Sequence, residues 1–333
     1  MPQTKQLTAF VTGATGFLGL HLCQQLLNKH WRVFALCRNK NKMPITHANL
    51  VTIEGDILDP KAIEKHLPAA LDALFHTAAS TNTWFKNNDR QTTTNINGTQ
   101  NMLDLATRLT VKRFIHISSV VVFGIHTQLK NITEDMPKAG ENSWINYVKT
   151  KTLSEKLVLN NKELDCVIIN PTHIIGPGDK HNWARLIKMI AEQKLPSIPN
   201  GAGSFVDVRD VAAGIIQAYY QGKSGENYLL GGTDMNFKQF VNNVADKLNV
   251  KATKRQLPNF LLMALAKTKN FISRITNKEP DITPESVTLI SDLYACDSAK
   301  AKKELNYNNK TFDLTLSDTV KFLKSTKLIK PTA

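Results

Sequence analysis

Val11-Thr12-Gly13-Ala14-Thr15-Gly16-Phe17-Leu18-Gly19 is the stretch on which the reading of this chain turns. An apolar run from Leu7 to Val11 leads into it, and Leu18, Leu22 and Leu26 follow at helical spacing. Strand, glycine turn and helix in that order make a phosphate-binding turn. Its glycines serve separate ends. Gly13 permits a sharp bend, Gly16 lets the backbone approach a pyrophosphate, and Gly19 lets the helix pack close to the sheet. Free N–H groups and the positive end of the helix then hold the anion. The spacing therefore predicts a dinucleotide site.

Working outward, strand patterns recur at 7–12, 32–37, 50–54, 73–77, 113–118 and 166–170. Helical patterns occupy 17–28, 61–66, 92–108 and 147–159. Such alternation predicts an α/β Rossmann architecture, a doubly wound parallel sheet with helices on both faces. From about Ile174 the rhythm breaks and Pro and Gly become frequent. The expected division is a dinucleotide-binding domain over 1–173 and, over 174–333, a smaller C-terminal substrate lobe. Within the latter, about 205–230 is expected to return to the first domain.

Composition narrows the function classes. The chain has 333 residues, enough for a large core, and a formal net charge of +14. No zinc-finger or RNA-binding signature accompanies that charge, so nucleic acid is not an expected partner. Cys23, Cys37, Cys166 and Cys296 lack metal-ligand spacing, and no metal is expected. Scattered thiols, a short polar start before the first strand and no apolar stretch of about 18 residues suggest a cytoplasmic protein. Much of the excess charge lies in 251–278, where the apolar run Leu257 to Ala266 is followed by Lys267, Lys269, Arg274 and Lys278. Two readings stand there. The segment is a basic amphipathic helix resting on a membrane surface, or an ordinary lobe helix covering the cleft with its charges in water. The ordinary one is the expectation.

Tyr147 and Lys151 stand at i and i+4, on one face of a helix. An ammonium near a phenol favours phenolate, so the pair predicts a tyrosine of lowered pKa that exchanges a proton with a substrate oxygen. Ser118-Ser119 end a predicted strand upstream and offer a hydroxyl to a carbonyl oxygen.

With these motifs in order, the chain resembles the extended short-chain dehydrogenase/reductase family from Leu7 to about Leu323. Gly55-Asp56, His76 to Ala79, Asn95 to Thr99, Asn170-Pro171-Thr172 and Phe205 to Ala212 also carry the resemblance. Within the family it is similar to the dihydroflavonol reductase and 3β-hydroxysteroid dehydrogenase branch, and to proteins called hopanoid-associated sugar epimerases. The resemblance implies Tyr147 as general acid/base, with Lys151 tuning it and bonding the nicotinamide ribose. Ser119 would orient the substrate oxygen, and Asn95 would support the active-site helix. It implies cofactor contacts from Gly13, Thr15, Gly16, Phe17, Leu18, Gly19, Asp56, Ile57, Ala78, Ala79, Ser80, Ser118, Pro171 and Thr172. Thr81, Trp84, Ser119, Val120 and His173 would meet the substrate, while His76 would serve structure. Relatives often dimerise through the helices matching 92–108 and 147–159, so a homodimer is expected.

The second strand ends in Cys37-Arg38, where users of NAD commonly carry an acid for the ribose 2′-hydroxyl. A guanidinium there suits a 2′-phosphate, so NADP(H) is expected in preference to NAD(H). Nucleotide-sugar epimerases of the family place an arginine two residues before the Phe205 segment, and this chain has Gly203. The expected reaction is reduction of a carbonyl on a small, largely apolar substrate. A nucleotide-sugar epimerase or dehydratase is the first rival, and a non-catalytic dinucleotide sensor the second.

Overall fold

The computed structural model describes residues 5–330. Its twelve strands are β1 (Thr8–Thr12), β2 (Arg32–Cys37), β3 (Leu50–Glu54), β4 (Ala73–His76), β5 (Arg113–Ile117), β6 (Lys130–Ile132), β7 (Cys166–Pro171), β8 (His173–Ile175), β9 (Ala202–Asp207), β10 (Asn227–Leu230), β11 (Thr233–Asn236) and β12 (Tyr294–Cys296). The helices are α1 (Phe17–Asn28), α2 (Pro60–Glu64), α3 (Asn88–Thr92), α4 (Gly98–Arg108), α5 (Asn146–Asn160), α6 (Trp183–Ala191), α7 (Val208–Gln221), α8 (Phe237–Leu248), α9 (Asn259–Thr276), α10 (Pro284–Ile290), α11 (Ala299–Leu305) and α12 (Phe312–Ser325).

Seven strands form a parallel central sheet in the order β10-β7-β5-β4-β1-β2-β3. Strands covered on both faces need apolar residues throughout, and β4 and β7 are buried end to end. One face packs on α1 and α7 through Leu22, Leu26, Val211 and Ile215. The other packs on α4 and α5 through Met102, Leu105 and Val158. The order reverses direction between β1 and β4, where Thr12 lies beside His76. Ligands of such sheets bind beyond the strand ends at this reversal. The expected α/β Rossmann fold is thus present.

The remaining chain builds a second core, with Phe205, Phe237, Phe240 and Phe312 at its centre. Its sheet is β11-β9-β8, so β9 belongs to this lobe, and from Val208 the chain packs on the central layer. There α7 packs on α1, and β10 pairs with β7. Asp207 caps α7, accepting from the Arg209 N–H at 2.8 Å. The Arg209 guanidinium bridges Asp207 at 2.6 Å and Asp318 of α12 at 2.7 Å, joining lobe to sheet.

Candidate active site

At the reversal point the backbone of the glycine turn is built for close approach. Gly13 has φ +65°, and a Cβ there would stand 2.9 Å from Ala78 Cα. A Cβ on Gly19 would fall 2.2 Å from the Gly13 carbonyl oxygen. Gly16 caps α1 without a side chain, so no side chain takes up the N–H groups of the first turn. That uncapped end opens into a cleft of about 520 Å³ lined by Gly13, Gly16, Phe17, Leu18 and Gly19. The turn therefore fits a dinucleotide pyrophosphate.

Beyond it, Ser118, Ser119, Tyr147, Lys151, Pro171 and Thr172 line the same cleft. Tyr147 and Lys151 face it from one side of α5, and Ser119 lines the same wall. Burial pushes the Tyr147 phenol up, with Ser119 opposing. This corrects the expected lowering by Lys151. The Lys151 ammonium instead donates to the Ile117 carbonyl at 2.7 Å, and burial brings its pKa down to about 8 while Glu155 raises it.

Glu155, one turn beyond Lys151, is a buried carboxylate that sequence reading missed. Its Oε2 accepts from Ser118 at 2.5 Å and from Asn170 at 2.8 Å. The Lys138 ammonium lies 3.2 Å from Oε1 and 3.7 Å from the centre of the Phe123 ring. A carboxylate four residues after a lysine looks like a surface pair. Only the strand ends carrying Ser118 and Asn170 make it internal.

The other sequence candidates divide. Ala79, Thr81, Val120 and His173 line the cleft. Asn95 is buried one layer behind, accepting from Ser80 N at 2.7 Å and donating to the Thr150 hydroxyl at 3.0 Å. It thereby fixes the Ser80 loop against α5. His76 joins Thr12 at 2.9 Å and Thr99 at 3.1 Å, a structural bridge as expected. Ala78 donates its N–H to the Thr12 hydroxyl at 3.1 Å, holding the loop against the turn. Ile57 is buried beneath Gly98, in the core between sheet and α4. Asp56 accepts from Leu58 N at 3.0 Å in the turn before α2. Arg38 is exposed just past β2, and Thr15 sits within the glycine turn. Trp84 points elsewhere. Its indole N–H reaches the Ser273 hydroxyl of α9 at 3.3 Å, and it is not among the side chains lining the cleft.

The outer end of the cleft is apolar and aromatic, lined by Val121, Ile174, Trp183, Leu289, Ile290 and Tyr294. The His173 ring packs 4.8 Å from Trp183 and 5.5 Å from Tyr294, and burial lowers its pKa to about 4. Gly203 makes this possible, because a Cβ there would meet the His173 ring at 2.5 Å. The buried Tyr294 hydroxyl has no hydrogen-bond partner among the described residues. Asp292 also lines this end and accepts from His126 N at 2.7 Å. Residues 289–294 lacked any periodic or motif signal, since the end of the two-turn helix α10, a short loop and the start of a three-residue strand carry them.

A doubly wound sheet, an open glycine turn and a Ser/Tyr/Lys set in one cleft define a dinucleotide-dependent enzyme. The sequence model described as "NAD dependent epimerase/dehydratase family" matches residues 9–231, and the chain belongs to that family. It is an NAD(P)-dependent enzyme of the short-chain dehydrogenase/reductase type. The chain is 29% identical to sterol demethylase protein B of Methylococcus capsulatus, over 90% of this chain and 93% of that one. It is 25% identical to the 4-hydroxy-2-methyl-3-oxo-4-farnesyl-3,4-dihydroquinoline-1-oxide ketoreductase of Stigmatella aurantiaca, covering 90% and 92%. The solved structure of gox2253 is similar at TM-score 0.83 and 27% identity, covering 97% of this chain and 99% of that one. UDP-glucuronic acid 4-epimerase from Bacillus cereus, solved with NAD, shares the fold at TM-score 0.74 and 22% identity, covering 96% and 97%.

Proposed function

We propose that this enzyme is an NADPH-dependent reductase of a ketone or aldehyde on a largely apolar small molecule. The observation that carries the reading is the character of the cleft. Lys151 is the one Lys or Arg among its lining residues, and aromatic and aliphatic side chains dominate the outer end. A nucleotide diphosphate would find no guanidinium there, and charged pairing supplies much of such recognition. A hydrophobic carbonyl compound suits it, with Tyr294 offering a hydroxyl to a second oxygen. The ketoreductase name of the Stigmatella relative supports the same class.

The glycine turn would hold the pyrophosphate, and Arg38 beyond β2 would meet the 2′-phosphate. When bound, the nicotinamide supplies hydride to the carbonyl carbon. Ser119 donates a hydrogen bond to the carbonyl oxygen, and Tyr147 gives it a proton as negative charge develops. A phenol held protonated by burial suits this acid role. Lys151, fixed by the Ile117 carbonyl, keeps a positive charge beside the reacting groups.

The test is a panel of hydrophobic ketones and aldehydes with NADPH and NADH, read by cofactor oxidation and by calorimetry. Turnover with NADPH is expected, and Tyr147→Phe lowers kcat about a hundred- to ten-thousand-fold while cofactor binding persists. Tight retention of NAD together with turnover of a UDP-sugar would overturn the reading.

A further inference from the structure

Helix α9 turns six of its large apolar side chains outward. Phe260, Leu261, Leu265, Phe271, Ile272 and Ile275 are between 44% and 75% exposed. They make up six of the eleven exposed large apolar residues among those described. The helix rests on the body through Leu262, Ala266 and Ser273, packing on α10. At about 100° per residue, those three define one side and the six occupy the other. Beside the charges expected in water, the helix also exposes this apolar stripe.

Charge gives the stripe its partner. Residues 251–278 contain seven Lys and Arg and no Asp or Glu. Lys267 and Arg274 border the stripe along one edge, and Lys278 follows its end. The nearest acids come after the helix. Asp281 is engaged by Lys269 at 2.7 Å, and Glu279 accepts from Asn82 at 2.9 Å. An isologous contact with a second copy would set two such cationic faces against each other. An anionic lipid surface meets both the apolar and the cationic component.

We propose that α9 is a membrane-docking face that lies in the interface of a bilayer carrying anionic lipid. The apolar stripe enters the boundary between headgroups and acyl chains, and Lys267, Arg274 and Lys278 meet the phosphates. The attachment is peripheral, for no helix among the described residues is long and apolar enough to span a bilayer. The helix is tied to the cleft, because α10 beneath it supplies Leu289 and Ile290 to the lining. Trp84 and Lys86, which follow Thr81 of the cleft wall, bond Ser273 and Asn277.

The experiment is co-sedimentation of the full chain with phosphatidylcholine vesicles, with and without phosphatidylglycerol, at low and high salt. Neither nucleotide nor substrate is added, so the outcome is independent of the reductase reading. Sedimentation with phosphatidylglycerol vesicles that weakens with salt is expected. The double variant Phe271→Ser/Ile275→Ser is expected to lower partitioning roughly tenfold or more. Lys267→Glu/Lys278→Glu is expected to remove the preference for phosphatidylglycerol. Both pairs are exposed, and an unchanged melting temperature verifies the fold. Failure of the folded wild-type chain to sediment with anionic vesicles overturns the proposal, as does equal sedimentation of the serine variant. A dimer lost in that variant, with no vesicle binding by wild type, assigns the face to a second copy and overturns it too.

Discussion

Glu155 shows how one internal charge conditions a reactive centre. It holds Ser118 and Asn170, faces Lys138, and opposes the depression that burial imposes on Lys151. Lys151 titrates at about 8, so kcat/KM for carbonyl reduction falls above that pH as the ammonium loses its proton. Glu155→Gln removes the charge that raises Lys151, and the descending limb moves to lower pH. A pH–rate profile of both proteins, beside their melting temperatures, measures it. An unmoved limb would leave Glu155 a purely architectural role. At this scale Tyr147 and Lys151 were legible because helical spacing aligns them without tertiary information. The pKa direction of Tyr147 was not, since it depends on where the ammonium is held and on how deeply the phenol lies.

Among elements, six of the seven strands of the central sheet were readable almost to their ends, because each buried run stops where turn residues begin, while the short edge strand β10 was not read as a strand. The helix over 92–108 was readable as a helix but not in its inner detail. It starts at Asn88 and widens over Thr93–Asn97 before α4, and the widening carries Asn95. Such a local widening hardly disturbs an apolar period, so the sequence hides it. The glycine turn allows a sharper test. Gly19→Ala drives a methyl toward the Gly13 carbonyl, so α1 must shift away from the turn. Calorimetry is expected to register a dinucleotide affinity lower by roughly tenfold, with a stability cost of about 1–3 kcal/mol. Unaltered affinity would mean that the close approach of helix and turn is not needed for binding.

For the molecule as a whole, the second lobe was the least legible part. Its sheet uses strands as short as His173–Ile175, paired across distant segments, and Gly203 acquires meaning only beside the His173 ring. Global stability carries its own prediction. Burial, then Lys151, brings His76 down to about 3, and burial alone brings His173 to about 4. Burial, then Lys151 and His76, holds His116 well below its ordinary value. In the unfolded chain these imidazoles titrate near 6.5, so below that pH the unfolded state binds more protons. Stability is complete above 6.5 and declines as pH falls, by up to about 1.4 kcal/mol per unit for each histidine. Urea unfolding across that range measures the slope. His116→Leu should flatten it at little cost near neutrality, since neither His116 ring nitrogen has a partner among the described residues.

Thr172 alone separates Pro171, the last residue of β7, from His173, the first of β8. At this crossing β7 of the central sheet and β8 of the lobe sheet are consecutive lengths of one nearly continuous strand, with a single residue between them. A hinge there would have to tear backbone pairing on one side or the other. Along this edge the wall of the slot is accordingly laid down together with the sheet, for Pro171, Thr172 and His173 all line it.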